Sequence, residues 1–504
     1  MPYLNGFDPT GRLAFFGDSL SDPGNLYTQA EGLIDETVRQ SIGGPDGQAS
    51  DGPVFAEYAG SLLDPAGGVL NFAVAGAEAV GSQRIGDFIA ESDYASALLV
   101  GQDDPRMDWD MNLDAQVMRY AAATDGTDRS RDTTLLMIGG NDFGGLDNVF
   151  GALSLIDDVI DAIRSAARKF DALGVGTCVI ASMPGPAMFP FYGDYNWFER
   201  LTVDAFFDRF DNELRDLVAE LKAEGVPAQF LDMERISTAL VDDWGGFGIT
   251  APAGMTLTSG DPRLAAYDDD QVAYWDDLHP TTATHGILGA YTDAAFSHEM
   301  QIGSSGGNSV SGGNKAELQL AYGGSDWMVG RGGADLMFGG SGADELRAGD
   351  DDDLLSGGSG KDLLLGNDGD DILAAGFGDD RSYGGAGDDL MIDSLGSDSL
   401  YGNEGNDVFV YVEDALIDPE SRFAHGTGFD IFNGGDGEDT LVLVLEDAST
   451  FNASAKGGRL RKEFDAIGLK VSQIEKIVVV EGRDGLDGIE LHQGQDMADL
   501  WGLL

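Results

Sequence analysis

Three observations predict an α/β fold with a parallel sheet in the first part of the chain and a repeating array of tight turns and short strands after it. Short apolar runs alternate with helical stripes over residues 1–300, the runs end in Gly- and Asp-rich turns, and a strict nine-residue period occupies much of the remainder. The run Leu13-Ala14-Phe15-Phe16, stopped by Gly17, reads as a central buried strand. Further strands are expected at 69–74, 133–138, 176–181 and 228–231. Between them, Leu155, Ile156, Val159, Ile160, Ile163, Ala167 and Phe170 form one apolar stripe, and Phe206, Phe207, Phe210, Leu214, Leu217, Val218 and Leu221 form a second. Both read as helices facing a core.

Composition narrows the function classes. A chain of 504 residues with 42% hydrophobic content has material for more than one domain. Its 29 basic and 89 acidic residues give a net charge of −60, which excludes nucleic acid as a partner and calls for a cation. The only cysteine, Cys178, lies inside an apolar run and reads as a small buried hydrophobe, so disulfides and thiol chemistry are not expected. No N-terminal signal peptide and no membrane-length apolar stretch is present, so export has to use another signal.

Candidate chemistry sits at the strand ends, where open α/β sheets bind ligands. Ser19 follows the first strand in FGDSLSDPGN, Gly76 follows the second in NFAVAGA, and Asn141 follows the third in GGND. Each alone is a routine turn. Late in the region, Asp276 precedes His279 by three residues in WDDLHPT, and Pro280 suits the first turn of a helix. That spacing lets a carboxylate meet the imidazole, fix its tautomer and stabilise the imidazolium. Asp18, Asp22 and Asp142 read as loop-holding residues, and His285 as a structural residue of the following helix. The aromatic stretch 188–198 packs a loop or lines a pocket, and the acidic insert 86–114 is placed to shape the cleft. The region carries no His/carboxylate cluster at zinc spacing.

In this order the four blocks resemble the GDSL or SGNH esterase/lipase family over residues 10–298, and the longer first block with SDPGN resembles the plant-lipase and bacterial outer-membrane esterase branch. The resemblance implies a three-layer α/β/α hydrolase. It makes Ser19 the nucleophile, His279 the general base and then acid, and Asp276 its orienting carboxylate. The amides of Ser19 and Gly76 and the side chain of Asn141 become the oxyanion hole, with no cofactor for catalysis.

From 321 to 410 the chain falls into ten consecutive nonapeptides whose sixth residue is always Asp: Asp326, Asp335, Asp344, Asp353, Asp362, Asp371, Asp380, Asp389, Asp398 and Asp407. The fourth position is Gly except at Asp351, and the eighth is apolar except at Ser382. After an interruption at 411–433, residues 434–442 add one more copy with Asp439. The pattern is similar to the GGxGxDxUx repeat of RTX proteins, which implies a parallel β-roll that binds structural Ca²⁺. With two nonapeptides per coil, like residues recur every eighteen, so Asp326, Asp344, Asp362, Asp380 and Asp398 stack on one edge and the other five on the opposite edge. Carboxylates so stacked repel unless a hard cation separates them, and Gly permits turns that expose backbone carbonyls as further ligands.

The expected organisation is a hydrolase domain at 1–300, a Gly/Ser-rich linker at 301–320, repeats at 321–442, and a cap with an uncleaved secretion signal at 443–504. The tail, ending in Leu500, Trp501, Leu503 and Leu504, resembles signals used by RTX proteins with type I secretion machinery, which implies an extracellular, secreted or surface-associated protein. The expected function is a secreted esterase or lipase acting on a lipid, acylated small molecule or polysaccharide. The alternatives are an RTX surface or adhesion protein with a non-catalytic hydrolase scaffold, or the same chemistry as a phospholipase or polysaccharide acetylesterase.

Overall fold

The computed structural model describes residues 4, 7–31, 50, 53–75, 77–80, 84–85, 105–143, 149–190, 192, 197–242, 256–257, 272–274, 279–393, 395–413, 430–445, 447–456, 458–481, 490–492 and 495–496. Among them, strands β1 (Leu13–Gly17), β2 (Val69–Asn71), β3 (Thr133–Met137), β4 (Thr177–Ala181) and β5 (Ala228–Leu231) form one sheet in the order β2-β1-β3-β4-β5. Every pairing in it is parallel. The α-helices described before residue 300 are α1 (Asn25–Gln29), α2 (Phe55–Leu63), α3 (Leu113–Ala123), α4 (Gly140–Phe143), α5 (Val149–Ala172), α6 (Trp197–Glu224), α7 (Met233–Asp242) and α8 (Thr282–Ser297), and α9 (Gly458–Ala466) lies near the C-terminal end.

Strands β1, β3 and β4 are buried at every residue, because helices cover both faces of the sheet. Ala14, Phe16, Leu136, Ile138, Cys178 and Ile180 point into a core with α3, α5 and α6. Their neighbours Leu13, Phe15, Leu135, Met137, Val179 and Ala181 point into a second core with α2, α7 and α8. The expected three-layer α/β/α fold is therefore present, and both apolar stripes face the first core. Burial pushes the Cys178 thiol up to about 12, which keeps it protonated and inert.

Among the described residues from 299 onward, two parallel sheets build the roll, one of ten strands and the other of eight. The register is eighteen residues, so Leu336 pairs with Leu354 and Leu354 with Ile372. Eighth-position side chains from Met328 and Met337 through Leu400 and Phe409 fill the space between the sheets, fully buried. The fourth position requires a left-handed backbone: a Cβ on Gly360, at φ +142, would lie 1.4 Å from the Gly342 carbonyl oxygen. Asp351, at φ 80, holds this conformation without being glycine.

The segment 301–320, expected as a linker, instead contributes strands to the roll. Strands β6 (Glu299–Ile302), β7 (Ser309–Ser311) and β8 (Glu317–Leu320) join the two sheets. The reason is register: Asn308 and Glu317 stand eighteen residues before Asp326 and Asp335 and take the same place in the coil, each donating its backbone N–H to that later carboxylate. The interruption is also shorter than expected, because Asp430–Asp436 is a strand paired with Ser399–Glu404. Residues 497–504 of the expected secretion signal lie outside the described residues. No helix among the described residues is long and apolar enough to cross a membrane.

Leu318, Leu320 and Tyr322 of the roll belong to the same core as Leu288, Tyr291, Ala295 and Phe296 of α8. The Tyr322 hydroxyl also donates to the Arg235 carbonyl on α7 at 3.0 Å. Truncating a roll side chain in this shared core should therefore destabilise the hydrolase part. Leu320→Ala is expected to cost about 2–5 kcal/mol and to lower the denaturation midpoint reported by probes in both parts; a shift confined to the roll would contradict the shared core.

Candidate active site

Ser19 sits in the turn that ends β1. Gly17 is required there, since at φ +157 a Cβ would stand 2.1 Å from the Met137 carbonyl oxygen on β3. The buried Gln116 of α3 fixes this strand end by accepting the Gly17 N–H at 2.9 Å and donating to its carbonyl at 2.8 Å. The turn closes with the Ser21 N–H on the Asp18 carbonyl at 3.1 Å and the Leu20 N–H on the Asp18 carboxylate at 3.3 Å.

His279 approaches from the other end of the domain. Its Nε2 lies 3.0 Å from Ser19 Oγ, a contact spanning 260 residues. Thr281 and Thr284 hold this loop, donating hydroxyls to the Val272 and Ala273 carbonyls at 2.6 and 2.9 Å. His285 is fully buried, accepts the Phe55 N–H at Nδ1, and has its pKa pushed down to about 3 by burial, so it stays neutral and structural as expected.

Asn141 is the second residue of α4, just after β3, and uses one of its two amide N–H donors on the Ala77 carbonyl at 3.1 Å. Asp142 accepts the Ala79 and Val80 N–H groups at 2.7 and 3.0 Å. Asp22 accepts from Gly24, Leu26 and Ala75 at 2.9, 3.1 and 2.7 Å, and from Asn25. These two carboxylates thus hold the segment on either side of position 76 against the first and third blocks. Burial pushes Asp18 up to about 7 and Asp22 up to about 6. Gly76 and Asp276 lie outside the described residues.

In the roll, the sixth-position aspartates form two ladders. Asp326 donates its N–H to Asp344 Oδ1, Asp344 to Asp362, Asp362 to Asp380, and Asp380 to Asp398, at 2.7–2.8 Å. The other edge runs from Asp335 through Asp353, Asp371, Asp389 and Asp407 to Asp439 at 2.7–3.0 Å, and ends on Glu475. Asp430 extends the first edge, accepting from Asp398 at 3.0 Å.

Residues 13–292 match the family described as GDSL-like Lipase/Acylhydrolase. The chain belongs to that family. Segments 320–355, 347–382, 383–411 and 426–443 match the RTX calcium-binding nonapeptide repeat. Comparison with curated proteins returns no match.

The donor set of this GDSL-like hydrolase's roll fits calcium. Oδ2 of Asp326, Asp353, Asp371, Asp380, Asp389, Asp407 and Asp439 is buried with no hydrogen-bond partner, an arrangement stabilised only by a proton or a cation. Gln116 and the ladder members Asn308, Glu317, Asp430 and Glu475 were not among the expected site residues. For Asp430 a signal exists, since Gly428, Asp430 and Phe432 keep the fourth, sixth and eighth positions immediately before Gly434. For Gln116 there is none, because a polar residue on a helix normally faces water.

Burial raises Asp371 to about 7, Asp353 and Asp389 to about 8, and Asp380 to about 9. Unfolded carboxyls titrate near ~4. Between those values the folded roll binds more protons than the unfolded chain, so this stability is present below about pH 4 and lost as pH rises through about 7–9. Calcium-free protein should accordingly show a higher roll melting temperature at about pH 5 than at about pH 8 by circular dichroism; the reverse order would contradict the buried ladder.

Proposed function

We propose that the chain is a secreted serine esterase or lipase that hydrolyses carboxylic esters through an acyl-enzyme. The observation that carries this reading is the 3.0 Å contact between His279 Nε2 and Ser19 Oγ in a chain of the lipase/acylhydrolase family. Ser19 Oγ attacks the ester carbonyl carbon while its proton passes to His279 Nε2, and Asp276 orients the imidazole and stabilises its charged form. The tetrahedral oxyanion is met by the amides of Ser19 and Gly76 and by the Asn141 side chain. When the ester C–O bond breaks, His279 returns the proton to the leaving alcohol, and then activates a water that releases the acid and regenerates Ser19.

The sixth-position aspartates Asp326 to Asp407, together with Asp439, are the proposed calcium ligands, and the ion supplies positive charge between stacked carboxylates. Folding at the ~10⁻⁴–10⁻³ M calcium typical of extracellular modules keeps the roll unfolded in a low-calcium cytosol. That suits type I secretion and an extracellular site of action.

Hydrolysis of p-nitrophenyl esters from acetate to palmitate tests the reading. Ser19→Ala is expected to abolish turnover and Asn141→Ala to lose a factor of ~10²–10³ in kcat. A maximum at long chains assigns a lipase or phospholipase, a maximum at acetate a carbohydrate or small-ester esterase, and parental activity in Ser19→Ala would overturn the assignment.

A further inference from the structure

A second group of buried carboxylates lies in the hydrolase domain, away from the four blocks. Asp211 on α6, Asp232 at the end of β5 and Glu234 at the start of α7 each bring a carboxylate oxygen within 4.8 Å of the other two. Asp232 is completely buried and Asp211 only 6% exposed. The guanidinium groups of Arg215 and Arg235 both bind Oδ2 of Asp232, at 2.5 and 2.8 Å. Oδ1 of Asp232 is left buried with no hydrogen-bond partner. Oδ2 of Asp211 has no hydrogen-bond partner either, and its nearest cation is Arg215 at 3.7 Å.

We propose that Asp211, Asp232 and Glu234 form a divalent-cation site, selective for a hard ion such as Ca²⁺, in addition to the sites of the roll. All three donors are carboxylate oxygens with no sulfur or imidazole among them, the set that suits Ca²⁺ or Mg²⁺ and not zinc. Three carboxylates against two guanidiniums leave one negative charge uncompensated in a buried place. Burial, then the neighbouring Glu234 and Asp232, push the Asp211 carboxyl up from the ordinary aspartate range.

Glu234 also lines a cavity of about 190 Å³ bounded by Asp204, Asp208, Ser237, Thr238 and the 185–188 turn. Its acidic wall draws a cation inward, and its volume leaves room for the waters that complete the six to eight ligands calcium takes. Arg215 and Arg235 hold Asp232 through its Oδ2, as outer-shell partners do at metal sites. The Arg235 carbonyl also receives the Tyr322 hydroxyl at 3.0 Å, so the site adjoins the contact between hydrolase and roll.

Calcium-grown crystals of the full chain, measured at long wavelength for calcium anomalous scattering, test the proposal with the roll as internal control. A peak about 2.3–2.6 Å from oxygens of Asp211, Asp232 and Glu234 is expected. Occupied roll sites with no peak there would overturn it. In solution, native mass spectrometry should count one calcium fewer per chain in Asp211→Asn and in the partly buried Glu234→Gln than in the parent; unchanged counts in both would equally overturn it. Neither readout uses ester hydrolysis, so the outcome is independent of the esterase reading.

Discussion

Helix α8 is gripped from three sides, and both halves of the protein depend on that grip. Leu288, Tyr291, Ala295 and Phe296 pack in one core with sheet residues Phe15 and Met137, helix α2 residues Phe55 and Ala59, and roll residues Leu318, Leu320 and Tyr322. The approach to α2 is close enough that a Cβ on Gly289 would stand 2.4 Å from Tyr58 Cβ. At its N-terminus the helix follows directly on His279, and at its C-terminus only His298 separates it from β6. A shift of α8 therefore moves the imidazole relative to Ser19 and the first coil relative to the sheet together. Close-packed interiors transmit such displacements and do not absorb them.

The roll has no comparable internal anchor at neutral pH. Its apolar filling is a narrow file of eighth-position side chains with a second cluster around Ile372, Leu390, Ile392 and Val410, while its edges bury a carboxylate in every nonapeptide. The N–H bond from the previous coil satisfies one oxygen and fixes the register, but at Asp353, Asp371, Asp380, Asp389 and Asp407 the second oxygen is buried with no hydrogen-bond partner. Burial in that state favours the protonated form, as the raised values for Asp353, Asp380 and Asp389 express. A cation between coils removes the same penalty without a proton. Wherever a metal binds ligands that only the fold brings together, its binding free energy adds to the folding free energy.

The sheet, the two helical stripes and the ten-repeat phase were legible because each repeats a period that only one element type satisfies. What escaped was positions where geometry survives a change of residue type. Asn308 and Glu317 occupy aspartate places in the coil, so a search for Asp stops one full turn too late and 301–320 looks like a linker. Asp430 is masked by the insertion before it, although the next coil treats it as an ordinary rung. At the site, Ser19 and Asn141 were visible as strand-end residues and His279 by its spacing from Asp276 before a helix start. Gln116 was not, since its role comes from one tertiary contact with Gly17 that no local pattern encodes.

The number of donors around each buried carboxylate separates framework from cation-binding roles more sharply than burial does. Asp22 is 2% exposed and accepts four backbone N–H groups; Asp132 is equally buried and takes Arg12 and the Tyr120 hydroxyl. Both are saturated, have no oxygen left for a metal, and hold loops and strand ends in place. Ladder residues such as Asp371 and Asp389 accept one N–H each and keep a bare oxygen. Asp232 follows the same rule inside the hydrolase, with both guanidiniums on one oxygen and none on the other. A buried half-satisfied carboxylate costs stability wherever it occurs, and a protein carrying a net charge of −60 has few spare side-chain cations to correct it. A hard cation from solution is the partner that the geometry of both places leaves room for.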